Sequence, residues 1–317
     1  MEGDPVLAKI AVDLKRALVH RAMHGAPGRA AARMIASGDG WTVADVVCTS
    51  GPQDRPFEER HAHYAIAIVV AGSFEYRSSL GSGLMTPGSL LLGNRGQCFE
   101  CGHEHGEGDR CVAFWYAPDY FERLAADSGA RRAGVDFGMA RLPALRQLSP
   151  LVARAGAGVA GSPDVPWEEL GVRLAASALQ LAAGSRSEPN GLPPNAAARV
   201  TRTVRAIERH PDAGLTLGRL AREAGLSPYH FLRTFERLTG VTPHQYVLRA
   251  RLREAAMRLA DEPGKVLDIA LDCGFGDVSN FNRAFRSEFG VNPSRYRGAV
   301  APGLASPSAS ILSGGGS

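Results

Sequence analysis

Short apolar runs separated by glycine and proline characterise the chain between about Trp41 and Tyr116. Turn residues recur at intervals of about ten residues, a spacing typical of an antiparallel β-sandwich or a small barrel. The clearest of these apolar runs are Tyr64–Val70, Ser89–Leu92 and Cys111–Tyr116. The first half of the chain is therefore predicted to be rich in β-strands.

Two stretches after these strands, Asp119–Ala126 and Trp167–Ala183, show the apolar spacing of helices. The second stretch carries an apolar stripe made of Leu170, Leu174, Ala178 and Leu181. Such a stripe usually packs on its own domain, and it equally suits the seam of a homodimer. Both interpretations stay open at this stage.

A segment without apolar periodicity, residues 184–196, separates the two halves of the chain and contains three prolines. This composition predicts a linker. The end of the chain holds Gly, Ser, Ala and Pro with a few aliphatic residues, which predicts disorder. The expected organisation is a first domain at 1–184, a linker at 185–196, a second domain at 197–298 and a disordered tail at 299–317.

The second domain contains an internal repeat. Three segments, Phe231–Phe235, Gly240–Pro243 and Tyr246, return fifty positions later as Phe281–Phe285, Gly290–Pro293 and Tyr296. Upstream, Leu220-Ala221 and Gly225 return 49 positions later as Ile269-Ala270 and Gly274. Agreement at this many positions indicates two copies of one structural unit.

Each copy has the pattern of a short helix, a glycine-containing turn and a second helix, which is the helix-turn-helix arrangement. In the first copy, Gly225 supplies the positive φ that a helix end requires. Ser227 can then cap the next helix, with Pro228 at its first position. The sequence therefore predicts two helix-turn-helix units in tandem.

The second helix of each unit is amphipathic. In both copies an aromatic stripe, which is typical of a buried core, faces away from a polar and basic side. The stripes consist of Phe231, Phe235 and Leu238 in the first copy and of Phe281, Phe285 and Phe289 in the second. The outward residues are Tyr229, Arg233 and Arg237 in the first copy and Ser279, Asn280, Arg283 and Arg286 in the second.

These outward faces suit DNA, because the major groove admits an α-helix and a guanidinium group pairs with guanine O6 and N7. Arg233 and Arg283 are the equivalent candidates for this contact. Asp277 suits a helix cap and repels phosphate. The connecting stretch Pro243–Leu259 predicts a helix about 25 Å long, comparable with one turn of DNA. Its arginines, Arg249, Arg251 and Arg253, are predicted to hold phosphates.

Charge is distributed unevenly along the chain. Residues 196–300 hold 17 Arg and Lys against 11 Asp and Glu, whereas the residues before them hold 19 against 21. A basic region joined to a slightly acidic one suggests that only the basic region binds an anionic polymer. The chain has no run of eighteen apolar residues, no signal-peptide core and five unevenly spaced cysteines. A cytoplasmic protein without membrane contact is therefore expected.

The paired units, each closed by Gly-Val-x-Pro-x-x-Tyr, resemble the AraC family of transcription regulators over about Val200–Arg297. The resemblance implies a DNA-binding regulator rather than an enzyme, with double-stranded DNA, RNA polymerase and a second copy of the chain as partners. It also implies that bases are read near the N-terminal ends of the two recognition helices. With the outward Arg237 added, the predicted DNA-binding residues are Tyr229, His230, Leu232, Arg233, Arg237, Ser279, Asn280, Asn282 and Arg283.

Seven of the fourteen Cys and His residues lie between His61 and Cys111. Alternate residues of a strand share a face, so His61 can lie beside His63, and Cys101 beside the following histidines. Thiolate and imidazole ligands suit zinc, and also nickel, cobalt or copper. The predicted ligands of a divalent transition metal are His61, His63, Cys98, Cys101, His103 and His105.

The same resemblance implies an N-terminal cupin-like effector domain. His61-x-His63 and the later Thr86-Pro87-Gly88-Ser89 look like the two cupin sequence stretches. Most family members sense small organic molecules without a metal, so a metal site, an organic-effector pocket and redox-sensing thiols all stay open. The expected fold is of the α+β class: a cupin-like β-barrel with flanking helices, followed by an all-α tandem helix-turn-helix domain.

Two functions of other classes compete with a regulator that responds to a small effector or a metal ion. A cupin-type metalloenzyme with an accessory DNA-binding domain would use His61, His63 and His105, but Glu75 lies twelve residues after His63, too far for the usual carboxylate ligand. An alkyl-transfer DNA repair sensor would need four zinc-binding cysteines. The four available cysteines, Cys48, Cys98, Cys101 and Cys111, are widely split.

Overall fold

A computed structural model describes residues 6–56, 58–128, 135–161, 165–183 and 194–300. We call residues 6–183 the N-terminal region and residues 194–300 the C-terminal region. The helices are α1 (Val6–His24), α2 (Pro118–Asp127), α3 (Ser149–Val159), α4 (Trp167–Ala183), α5 (Pro194–Arg209), α6 (Leu217–Glu223), α7 (Pro228–Thr239), α8 (Pro243–Asp261), α9 (Val266–Asp272), α10 (Val278–Phe289) and α11 (Pro293–Val300). The strands are β1 (Ala30–Gly38), β2 (Trp41–Cys48), β3 (Glu58–Arg60), β4 (Tyr64–Gly72), β5 (Phe74–Ser78), β6 (Gly81–Met85), β7 (Leu90–Gly93), β8 (Cys98–Gly102), β9 (Asp109–Tyr116) and β10 (Arg141–Leu142).

The strands form two antiparallel sheets. Six strands lie in the order β1-β2-β9-β4-β7-β10, and four lie in the order β3-β8-β5-β6. Near the middle of the larger sheet, Ile66 of β4 pairs with Phe114 of β9 and with Leu92 of β7. Among the described residues no ladder joins the two sheets. The α+β class is confirmed, and the two sheets form an open two-layer sandwich, one of the two arrangements that the strand spacing predicted. The barrel that the family resemblance implied is not closed.

Both faces of strand β4 are buried. Ile66 and Ile68 pack against helices α2 to α4, while Ala67 and Val69 pack against the smaller sheet. The N-terminal region therefore has three layers, with the larger sheet in the middle. This two-sided burial explains why the run Tyr64–Val70 is continuously apolar instead of alternating with polar residues.

Helix α4 coincides with the predicted stretch Trp167–Ala183. Its residues Leu170, Leu174 and Ala178 are buried in the core on the helical side of the larger sheet. Burial of each leucine side chain contributes about 2 kcal/mol. The apolar stripe packs on its own region, and these side chains are not available for the dimer seam that the sequence had left open.

Two elements of the N-terminal region lack a clear sequence pattern. Strand β1 lies at the edge of the larger sheet with mostly exposed side chains, so no apolar alternation marks it. Helix α3 is made largely of Ala and Gly and is buried on several sides, so it lacks a polar face. In the described part of the chain, every helix is too short or too polar to cross a membrane.

The predicted linker and tail fall largely outside the described residues. Helix α5 begins at Pro194, so the last three positions of the predicted linker are helical. Helix α11 ends at Val300, two residues beyond the predicted end of the second domain.

The C-terminal region confirms the repeat. Helices α6 and α9 are offset by 49 residues, and helices α7 and α10 by fifty, as the sequence predicted. The connecting helix α8 has 19 residues and is therefore about 28 Å long, slightly longer than expected. In the second copy, α11 begins at the position equivalent to the start of α8.

Caps define the ends of both long helices of the repeat. The Ser227 hydroxyl accepts a hydrogen bond from the backbone N–H of His230, and Asp277 Oδ1 accepts one from the backbone N–H of Asn280 at 2.7 Å. At the other end, Gly240 and Gly290 both have a φ of 76°. Only glycine adopts this conformation without strain, so each glycine ends its helix.

Candidate functional site

The outward faces of α7 and α10 are exposed in the same pattern. Phe231, Phe235, Phe281 and Phe285 are completely buried, which confirms the predicted aromatic stripes. Eight of the nine predicted DNA-binding residues are exposed: Tyr229, His230, Arg233, Arg237, Ser279, Asn280, Asn282 and Arg283. The ninth, Leu232, is half-buried, and it occupies the position where the second helix carries the exposed Asn282.

The two equivalent arginines differ little in their surroundings. Among the described residues, Arg233 makes neither a hydrogen bond nor an ion pair. Arg283 Nη2 lies 3.5 Å from Asn280 Oδ1, which is a weak contact at most. Both guanidinium groups therefore retain donors for an external acceptor.

The arginines of the connecting helix α8 are engaged inside the protein, which contradicts their predicted role as phosphate ligands. Arg251 donates to the backbone oxygens of Pro211, Ala213 and Gly274 at 2.7–2.9 Å. Arg253 is buried and pairs with Glu208 at 2.6 Å. Arg249 donates to the backbone oxygen of Ala144 in the N-terminal region. Sequence pattern could not reveal these uses, because each partner is distant along the chain.

The second repeat unit is bonded directly to the N-terminal region. Glu288, a buried residue of α10, accepts a hydrogen bond from the hydroxyl of Ser149 at the start of α3. Arg249 Nε lies 3.4 Å from the same carboxylate. Burial lowers the pKa of Arg249, and the nearby Glu288 carboxylate opposes that shift. One carboxylate thus joins α3, α8 and α10.

Helix α5, which packs on the first repeat unit, is bonded to the N-terminal region through Arg205. Its Nε donates to Ser73 Oγ at 3.1 Å, and its Nη2 donates to the backbone oxygens of Ser73 and Glu107, both at 3.2 Å. The guanidinium also lies so close to Gly106 that a Cβ atom there would collide with it. We call residues 104–108 the Arg205 loop. It connects β8 to β9 just after His103.

A cavity of about 650 Å³ lies between the two regions. Leu14 and Leu18 of α1 line it on one side, and Arg205 and Glu254 line it on the other. Glu254 is only 8% exposed. Burial raises the pKa of its carboxyl to about 7. The cavity combines apolar walls with polar groups, as small-molecule sites do.

The six predicted metal ligands lie in different surroundings. His61 is buried, its Nε2 lies 3.0 Å from Tyr76 Oη, and its ring stacks on Phe99 with 4.1 Å between centroids. Burial lowers the pKa of His61 to about 4, so its ring is neutral at pH 7. His63 is exposed, whereas Cys98, Cys101 and His105 are half-buried.

His103, the remaining predicted ligand, lies in a different group of donor atoms. Among the described residues, the Cys, His and acidic side chains whose ligand atoms gather within 4.8 Å of one another are Cys48, His103 and Asp109. His103 Nε2 lies 2.7 Å from Asp109 Oδ1. Cys48 and Asp109 face each other because β2 and β9 are paired at these positions. We call these three residues the Cys48 cluster.

The electrostatics of the Cys48 cluster are dominated by burial and by the acidic partners of His103. Burial alone would lower the pKa of His103, but hydrogen bonds from its ring to Asp109 and Cys48 outweigh it and raise the pKa to about 9. Burial also raises the pKa of the neighbouring thiols Cys101 and Cys111 well above the usual range. Protonated thiols are poor nucleophiles, which disfavours redox sensing by these two residues.

Sequence reasoning missed Cys48, Asp109, Arg205 and Glu288. Cys48 lies thirteen positions before the first predicted ligand, and Asp109 was not considered because it is neither Cys nor His. A local signal existed for Cys48 and Asp109, since each stands at the boundary between an apolar run and a turn. No local signal existed for Arg205 or Glu288.

Comparison with known proteins finds a helix-turn-helix domain family that matches residues 220–299. The probable transcriptional regulator LumQ of Photobacterium leiognathi is 37% identical over 91 residues, which are 29% of this chain and 37% of LumQ. A solved structure from Chromobacterium violaceum, a transcriptional regulator described as containing an AraC-type DNA-binding domain, is 27% identical. It covers 34% of this chain and 94% of its own, with a TM-score of 0.31, too low to support a conclusion.

The similarity also extends beyond the repeat. The transcriptional activator NphR of Rhodococcus sp. is 31% identical over 253 residues, which cover 74% of this chain and 69% of NphR. For the first curated relatives the chain spans only about a third of their length. The long match to NphR and the tandem units at 220–299 together show that the chain belongs to the AraC family of transcription regulators.

Proposed function

We propose that the protein is a sequence-specific DNA-binding transcription regulator that reads two successive major-groove segments with α7 and α10. The observation that supports this most strongly is the matched exposure of the two helices. Equivalent positions fifty residues apart are exposed on one side and buried on the other. Two similar exposed faces, carried by two matched helices, suit a double helix whose major groove recurs once per turn.

The proposal assigns partners on DNA to the nine predicted DNA-binding residues. Arg233 and Arg283 pair with guanine O6 and N7, while Asn280 and Asn282 pair with adenine. The half-buried Leu232 offers an apolar contact to a thymine methyl group. Tyr229, His230, Arg237 and Ser279 contact the bases or backbone beside them. The N-terminal end of α7 favours phosphate through its remaining unpaired N–H groups, whereas Asp277 caps α10 and repels phosphate there.

The proposal also includes response to a small effector. The cavity between the two regions is lined by both of them, so a molecule bound there changes how they fit together. Through linkage, effector and DNA then change each other's affinity by the same factor. Ser149 and Arg205, which bond the two regions together, are the contacts that such a change would alter.

Partners and location form the remainder of the proposal. A second copy of the chain can pair with β1, whose outer edge has no neighbouring strand in the described sheet. RNA polymerase is the further partner of a regulator of transcription. The proposal includes action on chromosomal DNA in the cytoplasm, and it assigns no catalytic residue.

The test of base reading is to select bound sequences from a random DNA library with the full chain and then to measure binding of the selected site. Arg233→Ala and Arg283→Ala are each expected to lose about 1–3 kcal/mol at that site, roughly 5- to 150-fold, and little on random DNA. Arg173→Ala is the control, because Arg173 is an exposed arginine on α4, outside the repeat. Equal losses on selected and random DNA would show that the two arginines hold phosphates and do not read bases.

A further inference from the structure

We propose that the Cys48 cluster binds a divalent, thiol-preferring cation of the zinc class, and that its occupancy regulates the C-terminal region through the Arg205 loop. This inference rests on the proposed function, since it names a regulatory ligand for the same protein. It differs from the metal site predicted from the sequence, with which it shares only His103.

The three donor groups meet because of the tertiary fold. Cys48 ends β2, Asp109 begins β9 beside it, and His103 approaches from the smaller sheet just after β8. Their ligand atoms already lie within 4.8 Å of one another. In tetrahedral zinc sites, metal–ligand bonds of 2.0–2.3 Å place neighbouring donors roughly 3.4–3.6 Å apart. Occupancy therefore requires His103 and Asp109, now 2.7 Å apart, to separate by less than about 1 Å.

The chemistry of the donors selects the cation. One thiolate, one imidazole and one carboxylate form a set that suits zinc and excludes magnesium and calcium, which prefer oxygen ligands. When the cation binds, the Cys48 thiol and the His103 imidazolium each release one proton to solvent, and the cation then bonds to the thiolate sulfur and to the freed ring nitrogen. Three protein ligands leave a fourth position for water.

The surroundings of the cluster support ordered ligands. The side chains of His103 and Asp109 are 2% and 7% exposed. The Cys111 thiol donates to Asp109 Oδ2 at 3.4 Å, which leaves the other carboxylate oxygen for the cation. Such outer contacts orient metal ligands. The ring of His103 also stacks on Phe74, with 5.9 Å between centroids.

The cluster is connected to the C-terminal region by a short path. His103 and Asp109 flank the Arg205 loop, so separating them moves both ends of this segment. The loop is held by Arg205 through the backbone oxygen of Glu107. Arg205 belongs to α5, whose Val204 packs in one core with Phe231 of α7. Cation binding therefore acts on α7, the first reading helix. Every step from the Cys48 cluster to this helix is a chain connection, a hydrogen bond or a packing contact.

The alternative explanation of the Cys48 cluster is purely structural. In it, His103 and Asp109 form a buried ion pair, and Cys48 lies beside them without binding a cation. The two explanations differ in one measurable property. An ion pair takes up no cobalt or zinc, whereas a cation site takes up one equivalent with a sulfur ligand.

The experiment uses the full-length protein, freed of metal and titrated with Co²⁺, whose bond to a thiolate gives an intense charge-transfer band in the near ultraviolet. The protein is expected to bind one equivalent with this band, and Zn²⁺ is expected to displace it. Cys48→Ser is expected to lose the band, while the control Cys98→Ser, a half-buried cysteine outside the cluster, keeps it. Uptake below about a tenth of an equivalent, or equal loss of the band in both variants, would overturn the site.

A second measurement does not depend on a folded variant. In the unaltered protein, one equivalent of Zn²⁺ is expected to slow alkylation of Cys48 at least tenfold, as mapped by mass spectrometry of its peptide. The rate at Cys98 serves as the internal reference. Unchanged labelling of Cys48 would also overturn the site.

Regulation is tested separately by measuring DNA affinity with and without Zn²⁺. A change of at least fivefold is expected in the unaltered protein. Arg205→Ala is expected to abolish that change while one equivalent of Co²⁺ still binds. Cation binding without any effect on DNA affinity would overturn the regulatory link. Cation binding without any DNA binding would overturn the proposed function and leave the cation site standing. DNA binding without cation uptake would overturn the cation site and leave the proposed function standing.

Discussion

At the scale of one residue, the carboxyl of Glu254 has a raised pKa because it lies buried where the two regions meet. Its carboxyl is buried in the cavity wall, and the guanidinium of Arg258 is the opposing charge that acts to lower its pKa. Glu262, Glu208 and Asp212 add negative charge nearby, and the thiol of Cys273 also faces it. Burial, assisted by these carboxylates, raises the pKa of Glu254 to about 7.

A pH dependence of stability follows from this shift. The folded protein holds the Glu254 proton up to about pH 7, whereas the unfolded chain releases it near its ordinary pKa of 4.5. The free energy of unfolding therefore falls as pH rises from about 4.5 to about 7, by about 3 kcal/mol, and then levels off. Glu254→Gln is expected to remove this decline and to be the more stable protein at pH 8.

Urea unfolding at pH 5, 6, 7 and 8 measures this effect. Glu58→Gln, which changes an exposed carboxyl of β3, is the control and should follow the unaltered protein. An unchanged slope in Glu254→Gln would mean that another group carries the dependence.

At the scale of helices, the repeat offers a natural matched pair in Gly240 and Gly290. Both residues end a long helix with the same φ of 76°. They differ in their neighbours, because a Cβ atom at Gly240 would lie 2.5 Å from Cβ of Pro143, whereas at Gly290 it would meet nothing within 4 Å. Only the first copy of the repeat is therefore packed against the N-terminal region at this point.

Alanine substitution of the two glycines is expected to separate local strain from packing between regions. Gly290→Ala should lose about 1 kcal/mol of stability, the cost of a left-handed conformation for a residue with a Cβ. Gly240→Ala should lose about 1–3 kcal/mol more, because the added methyl group must displace Pro143. Thermal or urea unfolding measures both, and equal losses would show that α7 and Pro143 separate readily.

At the scale of the whole molecule, the N-terminal region holds both repeat units by different bonds. Arg205 of α5, the helix that packs on the first unit, is bonded to Ser73 and the Arg205 loop, while Glu288 connects the second unit to Ser149. The core around Phe281 also includes Ala153 of α3. The C-terminal region is therefore bonded to the N-terminal region at two separate points, through α5 and through α10.

Ser149→Ala tests the second of these points. The substitution removes a hydrogen bond to a buried carboxylate and is expected to cost about 1–2 kcal/mol. Amide hydrogen exchange should become faster in α3 and α10 and remain unchanged in α2. Ser128→Ala is the control, since the Ser128 hydroxyl bonds only to Ala125 at the end of α2 among its described contacts. Equal exchange rates of the α10 amides in Ser149→Ala and Ser128→Ala would show that the Ser149–Glu288 bond does not hold α10.

The sequence alone determined the tandem repeat, because helix caps, glycine ends and aromatic spacing are local properties of consecutive residues. Gly225, Ser227, Asp277 and the phenylalanine stripes could be read within one helix and its neighbouring turn, and the structure confirms them. The β-rich first half was also predictable, although the edge strand β1 was not, since its exposed alanines carry no alternation.

Only the tertiary structure decided which side chains meet across the fold. Cys48 joins His103 and Asp109 through strand register and the packing of two sheets, and Arg249, Arg251 and Arg253 bond to segments remote along the chain. These contacts depend on how the helices and strands pack together, and the spacing of residues along the sequence does not indicate that packing. The amphipathic faces of α7 and α10 could therefore be predicted from the sequence, whereas the partners of the α8 arginines and the Cys48 cluster could not.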